Sequence, residues 1–372
     1  MTPRDRFLSS LLCRPVDRFF RYEHGPWPTT RERWIKEGFP ADANFEKHFE
    51  MDPLMRIGIN SGYTDSPYHP KFSPRTVEET ADCRVYTDAD GVLKKELKTG
   101  RDTSMPQFLK FPVACRTDWE SVKARLNPAD AAARVGNTDK LRRACADRSI
   151  PTMLPICGTF GHARNLFGDE GLSYVIFDDP DLLGDVLDNW LELYTTLFAE
   201  LTKTVRVDSI LVWEDMCYKN GPLMSPDHFR EFMSPRYRDM IAAARRLGVE
   251  AIIVDTDGDC LKMIPVFLEA GVDAMLPFEV QAGMDVADIR KVFPTLGIVG
   301  GLDKRALAGT HDDIRREVDR VLSAFTTRDG FIPTLDHTVP PNVPLESFRH
   351  YLDCVRIYEQ RSQTPNNTGE YP

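Results

Sequence analysis

The chain has 372 residues, 42% hydrophobic and 28% charged, with 57 acidic against 47 basic side chains and a net charge of −10. That balance is ordinary for a globular protein long enough to bury a large core, and its acidity argues against a general nucleic-acid or anionic-membrane surface. Eight scattered cysteines without a C-x-x-C pair argue against a zinc ribbon or dithiol site. Together with the missing signal peptide and membrane span, they lead us to expect a soluble cytoplasmic protein.

In chain order, residues 4–13 have helical periodicity, with Phe7, Leu8, Leu11 and Leu12 on one face, and Pro15 stops that helix. Arg18 to Glu23 reads as a first short strand. The loop His24-Gly-Pro-Trp-Pro28 follows, then a helix from Thr29 or Thr30. Cys83–Thr87 and Val92–Leu97 flank Asp88-Ala-Asp-Gly91, a hairpin signal. Residues 117–148 read as interrupted, solvated outer helix.

After residue 150 apolar runs recur at Met153–Cys157, Ile210–Val212, Ala251–Val254, Ala274–Pro277, Gly297–Val299 and Phe331–Leu335. Helical periodicity fills 180–204, 226–247, 260–270, 285–293 and 312–326 between them. Strand–helix alternation with short links implies a parallel α/β sheet, and the number of runs approaches the eight of a (β/α)8 TIM-type barrel. A doubly wound sheet is the alternative, but no Gly-x-Gly-x-x-Gly follows any strand. We expect one domain over 1–372. It would comprise first strands with peripheral helices and hairpin over 1–150, the main βα units over 151–360, and a flexible tail over 361–372.

In such a barrel the C-terminal strand ends share one mouth. Here they carry His162 and Arg164, then Trp213-Glu214-Asp215 with Lys219, and Asp255-Thr-Asp257. Glu279, Gly300-Gly301 with Asp303, and Asp336-His337 end the later runs. Each has a bland reading too: Asp259 and Asp285 suit helix caps, Gly300-Gly301 suits a tight turn, and His337 suits a structural role. Glu214, Asp215, Asp257 and His337 are the candidate catalytic residues. Trp213, His162, Arg164, Lys219, Glu279, Gly300, Gly301 and Asp303 are the candidate substrate contacts. Two carboxylates at one mouth suit acid–base work at separated pKa values. Asp255, Asp257 and His337 equally suit a divalent metal. Asp255 and Asp257, two apart, are expected on one face of a continuing strand.

In order along the chain, several further motifs stand beside these. They are Arg4-Asp-Arg-Phe-Leu with Arg14-Pro-Val-Asp-Arg18, Arg33-Trp34 with Glu37-Gly38, Asp90-Gly91, and Gly158-x-Phe160. Next come Trp213-Glu-Asp215 through Lys219-x-Gly221-Pro-Leu-x-Ser-Pro226, Asp257-Gly258, Ala282-Gly-Met-Asp285, Gly300-Gly-Leu-Asp-Lys304, and His337 before Val343-Pro-x-Glu346. This ordered set resembles the uroporphyrinogen decarboxylase superfamily, which also contains cobalamin-related methyltransferases and implies a (β/α)8 barrel. The chain departs from the resemblance in two places. The Arg-Gln-Ala-Gly-Arg segment that holds a polycarboxylated tetrapyrrole is replaced by Arg18-Phe-Phe-Arg-Tyr-Glu-His24. The thiol-activating His-x-Cys is replaced by Asp255-x-Asp257, with His337 where a later Cys is needed.

By this resemblance we expect a small-substrate demethylase that passes methyl to a corrinoid on a partner protein, with or without a divalent metal, and that can pair as a homodimer. Trp213 would wall the pocket and Lys219 and Arg164 would meet an anionic group. A cofactor-free decarboxylase of another carboxylated substrate is the alternative. A non-catalytic ligand-binding barrel is the third reading.

Overall fold

The computed structural model describes residues 1–63, 65–98, 105–325, 327 and 329–361. Seven parallel strands form the central sheet: β1 (Met55–Arg56), β6 (Thr152–Cys157), β7 (Ser209–Trp213), β10 (Ala251–Asp255), β11 (Ala274–Leu276), β12 (Gly297–Val299) and β13 (Phe331–Ile332), adjacent in that order. β2 (Arg75–Glu79), β3 (Cys83–Thr87), β4 (Leu93–Leu97) and β5 (Gln107–Lys110) form a separate antiparallel sheet, of which the expected hairpin supplies the middle pair. β8 (Cys217–Tyr218) and β9 (Gly221–Pro222) make a small ribbon after β7.

Helices follow most strands of the sheet, and buried aliphatic runs such as Ile210-Leu-Val212 need cover on both sides. Inside, Met153, Leu211, Ile253, Val299 and Ile332 form a packed cluster. Helix α1 (Pro3–Leu11) closes its lower end with Phe7, Leu8 and Leu11. A proline in the first turn and the Thr2 side chain, which accepts from the Asp5 N–H at 3.1 Å, start this helix. Its stop at Leu11 agrees with the expectation from Pro15.

Arg18 to Glu23, expected as the first strand, is extended but forms no ladder pairing with a neighbour. Carboxylates replace the ladder. Asp52 accepts from the Arg21 N–H at 2.8 Å, and Glu23 accepts from the Leu335 N–H at 3.2 Å and the Thr334 hydroxyl at 2.7 Å. Phe20 and Tyr22 join the inner cluster, whereas the Glu23 carboxylate also accepts from Tyr351 at 2.6 Å in the outer layer. This side-chain stitching spans the gap between β1 and β13. β1 itself, only two residues long, was not anticipated.

Two long helices were also not anticipated. Helix α7 (Thr159–Asp178) carries buried residues around much of its circumference and is interrupted by Gly168 at φ +75°, so it has no one-sided apolar stripe. Helix α14 (Leu345–Arg361) ends at Arg361, one residue into the expected tail, and 362–372 lies outside the described residues. The expected helix over 226–247 is a π turn, Phe229–Met233, between α9 (Pro226–His228) and α10 (Ser234–Arg246). No helix of the described residues is long and apolar enough to cross a membrane.

Because Glu23 satisfies three donors at the barrel seam, Glu23→Ala is expected to lower unfolding stability by about 2–4 kcal/mol. Urea denaturation followed by circular dichroism measures this. An unchanged midpoint would mean that the seam does not depend on this carboxylate.

Candidate active site

A cavity of about 280 Å³ runs down the barrel axis from the C-terminal strand ends to Phe7. Asp255 and Trp213 line it from paired positions on adjacent strands, with Asp257, His337 and Pro277 beyond the strand ends. The i, i+2 spacing puts both aspartates on the cavity side. Thr256 between them is turned outward, its N–H held by the Leu276 carbonyl at 3.0 Å and its hydroxyl by the Met216 N–H at 3.0 Å. From the first half of the chain come Tyr22, His24, Arg56 and Tyr63.

The Asp255 side chain receives no hydrogen bond among the described residues. Burial pushes its carboxyl up to about 8, helped by the neighbouring charges of Asp257 and Asp215, with Arg56 pulling the other way. Asp257 is pushed up to about 6, first by burial, while His337, whose Nε2 lies 3.7 Å from Oδ2, opposes the shift. Burial holds His24 down at about 3, so its imidazole is neutral, and its Nε2 has no partner. The Arg56 guanidinium donates to the Tyr22 hydroxyl.

The other predicted residues lie elsewhere. Glu214 is fully buried and turned away from the cavity. It accepts from the Thr159 N–H at 2.9 Å and hydroxyl at 3.0 Å, from the Gly161 N–H at 2.9 Å and from Tyr237 at 2.6 Å. A carboxylate with four donors at the start of α7 is a helix anchor by geometry. Gly158 is required there, since a Cβ would stand 2.2 Å from the Glu214 carboxyl carbon. Asp215 pairs with Arg164 at 2.8 Å, and that guanidinium lies 5.1 Å from the Trp213 ring centre, behind the cavity wall. Arg164 thus has its anion within the chain. His162 lines a second cavity. Lys219 is exposed at the turn of the β8–β9 ribbon.

Glu279 accepts from the Gly258 N–H at 3.1 Å and faces Lys304 at 3.6 Å. Gly300, at φ +123°, rests on the Pro277 carbonyl, where a Cβ would come within 1.9 Å. Backbone packing therefore accounts for Gly300, and Gly301 donates to that same carbonyl at 3.1 Å. Asp303 pairs with Arg305 at 2.7 Å. Trp213, Asp255, Asp257 and His337 are thus brought together, and the rest of the predicted set stands outside the cavity. Tyr22, His24, Arg56 and Tyr63 were missed. His24 closing the first apolar run was the available signal; a two-residue strand left none for Arg56.

Among the described residues no group of three or more His, Cys, Asp or Glu is placed to hold a metal. Asp255, Asp257 and His337 do not converge as a ligand set. Arg18 is bidentate to Asp52, at 2.6 Å through each nitrogen, and Arg21 reaches Glu359 at 3.5 Å. Both are engaged within the chain, which leaves Arg56 as the guanidinium lining the cavity.

A curled parallel sheet with ionisable side chains gathered at the C-terminal ends of its strands is the architecture of TIM-type barrel proteins. A methyltransferase from Methanosarcina mazei has this fold, with a TM-score of 0.66 and 17% identity over 96% of this chain and 99% of its own. Residues 95–358 match the family model for uroporphyrinogen decarboxylase (URO-D), and the chain belongs to that family. The uroporphyrinogen decarboxylase of Trichlorobacter lovleyi is 32% identical over 38% of this chain and 40% of its own length. That of Citrifermentans bemidjiense is 26% identical over 68% and 73%. The first of these alignments therefore spans well under half of the relative.

Since the folded-state pKa of Asp255 lies above the free value of 3.8, this group favours the fold most at low pH. That contribution is lost as pH rises toward about 8. Asp255→Asn is expected to be more stable than the native protein at alkaline pH by about 1–3 kcal/mol, with the gap closing in acid. Thermal melts across pH test this, and a gap that does not vary with pH would sink it.

Proposed function

We propose that this protein demethylates a small neutral or hydrogen-bond-donating substrate, using Asp255 as the proton donor. The observation that carries the reading is a half-buried carboxyl, without a hydrogen bond among the described residues and held at about 8, beside an ionisable carboxylate at about 6. A corrinoid carried by a partner protein supplies the nucleophile that accepts the methyl group. The bond from methyl to the substrate oxygen or nitrogen breaks, its electron pair stays on that atom, and the proton of Asp255 moves there. Desolvation first, and then like-charge repulsion from Asp257 ionised beside His337, keeps Asp255 protonated through neutral pH. Trp213 and Pro277 wall the substrate in, and neutral His24 offers it a hydrogen bond without adding charge. A pair of carboxylates at the reacting position disfavours a polycarboxylated tetrapyrrole, and a cavity of about 280 Å³ suits a small molecule. The Methanosarcina neighbour is a methyltransferase, but its likeness supports the fold; the choice of reaction rests on the cavity.

Arg56 favours a second reading. A single cavity guanidinium can hold one carboxylate, and protonated Asp255 can then deliver its proton to the carbon left as carbon dioxide departs.

Mixing the protein with a corrinoid protein and a panel of methoxylated and N-methylated donors, followed by corrinoid absorbance, separates the two. Transfer is expected to rise through about 6 as Asp257 ionises and fall through about 8 as Asp255 loses its proton. Asp255→Asn is expected to lower it about 100-fold or more, whereas Glu214→Gln, outside the cavity, keeps the same pH profile. No transfer from any donor, with carbon dioxide released from a carboxylic acid without corrinoid, would establish the second reading instead.

A further inference from the structure

Beside the axial cavity lies a second one of about 270 Å³, and Tyr63 lines both. Its polar lining includes Tyr63, Asp65, Ser66, Tyr68, Asp90 and His162, drawn from the loop after β1, the β3–β4 turn and helix α7. Two of its groups lack what burial normally demands. His162 is only 2% exposed, yet its Nε2 has no hydrogen-bond partner. Oδ1 of Asp90 is likewise buried without one. Unsatisfied buried polar atoms are costly, and both residues line this one space, so a molecule there that drew out and completed these atoms would be favoured.

The chemistry of the walls selects that molecule. Among the described residues no lysine or arginine lines the cavity. Asp65, which lines it, is already paired with Lys71. A carboxylate or phosphate would therefore meet Asp90 with no cation to offset the repulsion. Two phenol rings and a carboxylate are instead the environment that holds an ammonium group. The neutral imidazole, held down at about 4 by burial, adds a ring nitrogen able to accept from N–H.

From this arrangement we infer that the second cavity binds the amine-bearing end of the substrate, with Asp90 and His162 as its partners. Tyr63 forms the shared wall past which the molecule reaches into the axial cavity. The inference rests on the axial cavity as the site of reaction, so its test reads binding and needs no turnover.

Ethanolamine and glycolate, an ammonium and a carboxylate on the same two-carbon frame, are compared by saturation-transfer NMR and calorimetry against the full chain. Ethanolamine is expected to bind at millimolar concentration and glycolate not. Asp90→Asn should weaken ethanolamine about tenfold, and His162→Phe, which fills the cavity with apolar volume, should abolish binding. Asp257→Asn, in the axial cavity, should leave the affinity within about twofold. Circular dichroism checks that each variant is folded, and either second-cavity variant alone suffices if the other is not. Glycolate binding as tightly as ethanolamine would overturn the inference. So would ethanolamine indifferent to both second-cavity substitutions, lost only in Asp257→Asn, or undetected at millimolar concentration. If ethanolamine binds as expected and no methyl transfer is ever found, the second cavity stands and the reaction assigned to the first falls.

Discussion

Cys157, Trp213, Asp255 and Leu276 stand side by side because four parallel strands, β6, β7, β10 and β11, are paired in one register. Leu211, Ile253 and Ala274 form the layer beneath, again by register. A slip of one residue on β10 would turn Asp255 outward into the apolar helix layer and bring Val254 into the cavity. The register is held by burial on both faces of the sheet and by the tight contacts at its C-terminal edge. There the Trp213 carbonyl takes the Gly158 N–H at 2.8 Å and the Asp255 carbonyl takes the Glu214 N–H at 2.9 Å. Carboxylates that belong to the scaffold reinforce it: Asp208, fully buried, accepts from the Thr152 N–H at 2.8 Å and hydroxyl at 2.9 Å at the lower end of β6.

Buried carboxylates in this protein fall into two kinds, separated by their donors. Glu214, Glu23 and Asp208 each accept several hydrogen bonds, and each joins elements distant in sequence. Asp255 accepts none and faces a space large enough for a substrate. The desolvation that this carboxyl suffers works against folding, and only the field of Arg56 favours its charge. Its retention at the cavity wall is intelligible if the proton it holds is used.

The same distinction explains how far the sequence could be read. Strand–helix alternation after residue 150 was visible because apolar runs of strand length are separated by amphipathic stretches, and the barrel follows from them. Helix α7 escaped because its surroundings bury it on several sides, which erases the periodicity that reveals a surface helix. At the site, Asp255 and Glu214 look alike in sequence, each an acid at the end of an aliphatic run. What separates them is the start of α7, about 55 residues before Glu214, which supplies three of its four donors. Arg56 and Tyr63 were invisible for a related reason: Arg56 ends, and Tyr63 follows, a strand two residues long, whose position is set by β6 and by no pattern of its own.

The end of β10 leaves the two aspartates little freedom to avoid each other. Thr256 is anchored outward through both its backbone and its hydroxyl, so Asp255 and Asp257 are both directed to the cavity. Moving them apart would break those anchors; protonating one of them breaks nothing. The residue with the less favourable surroundings for charge takes the proton. Asp257 has His337 at 3.7 Å and the field of Lys304, whereas Asp255 has more complete burial and only the opposing field of Arg56. Between about 6 and about 8 the pair therefore holds one proton, on Asp255, with a negative charge beside it. A leaving atom that gains electron density at this position is met by a donor whose proton is ready to move and whose conjugate base is destabilised. The same fields make Asp255 a poor resting place for an anionic group.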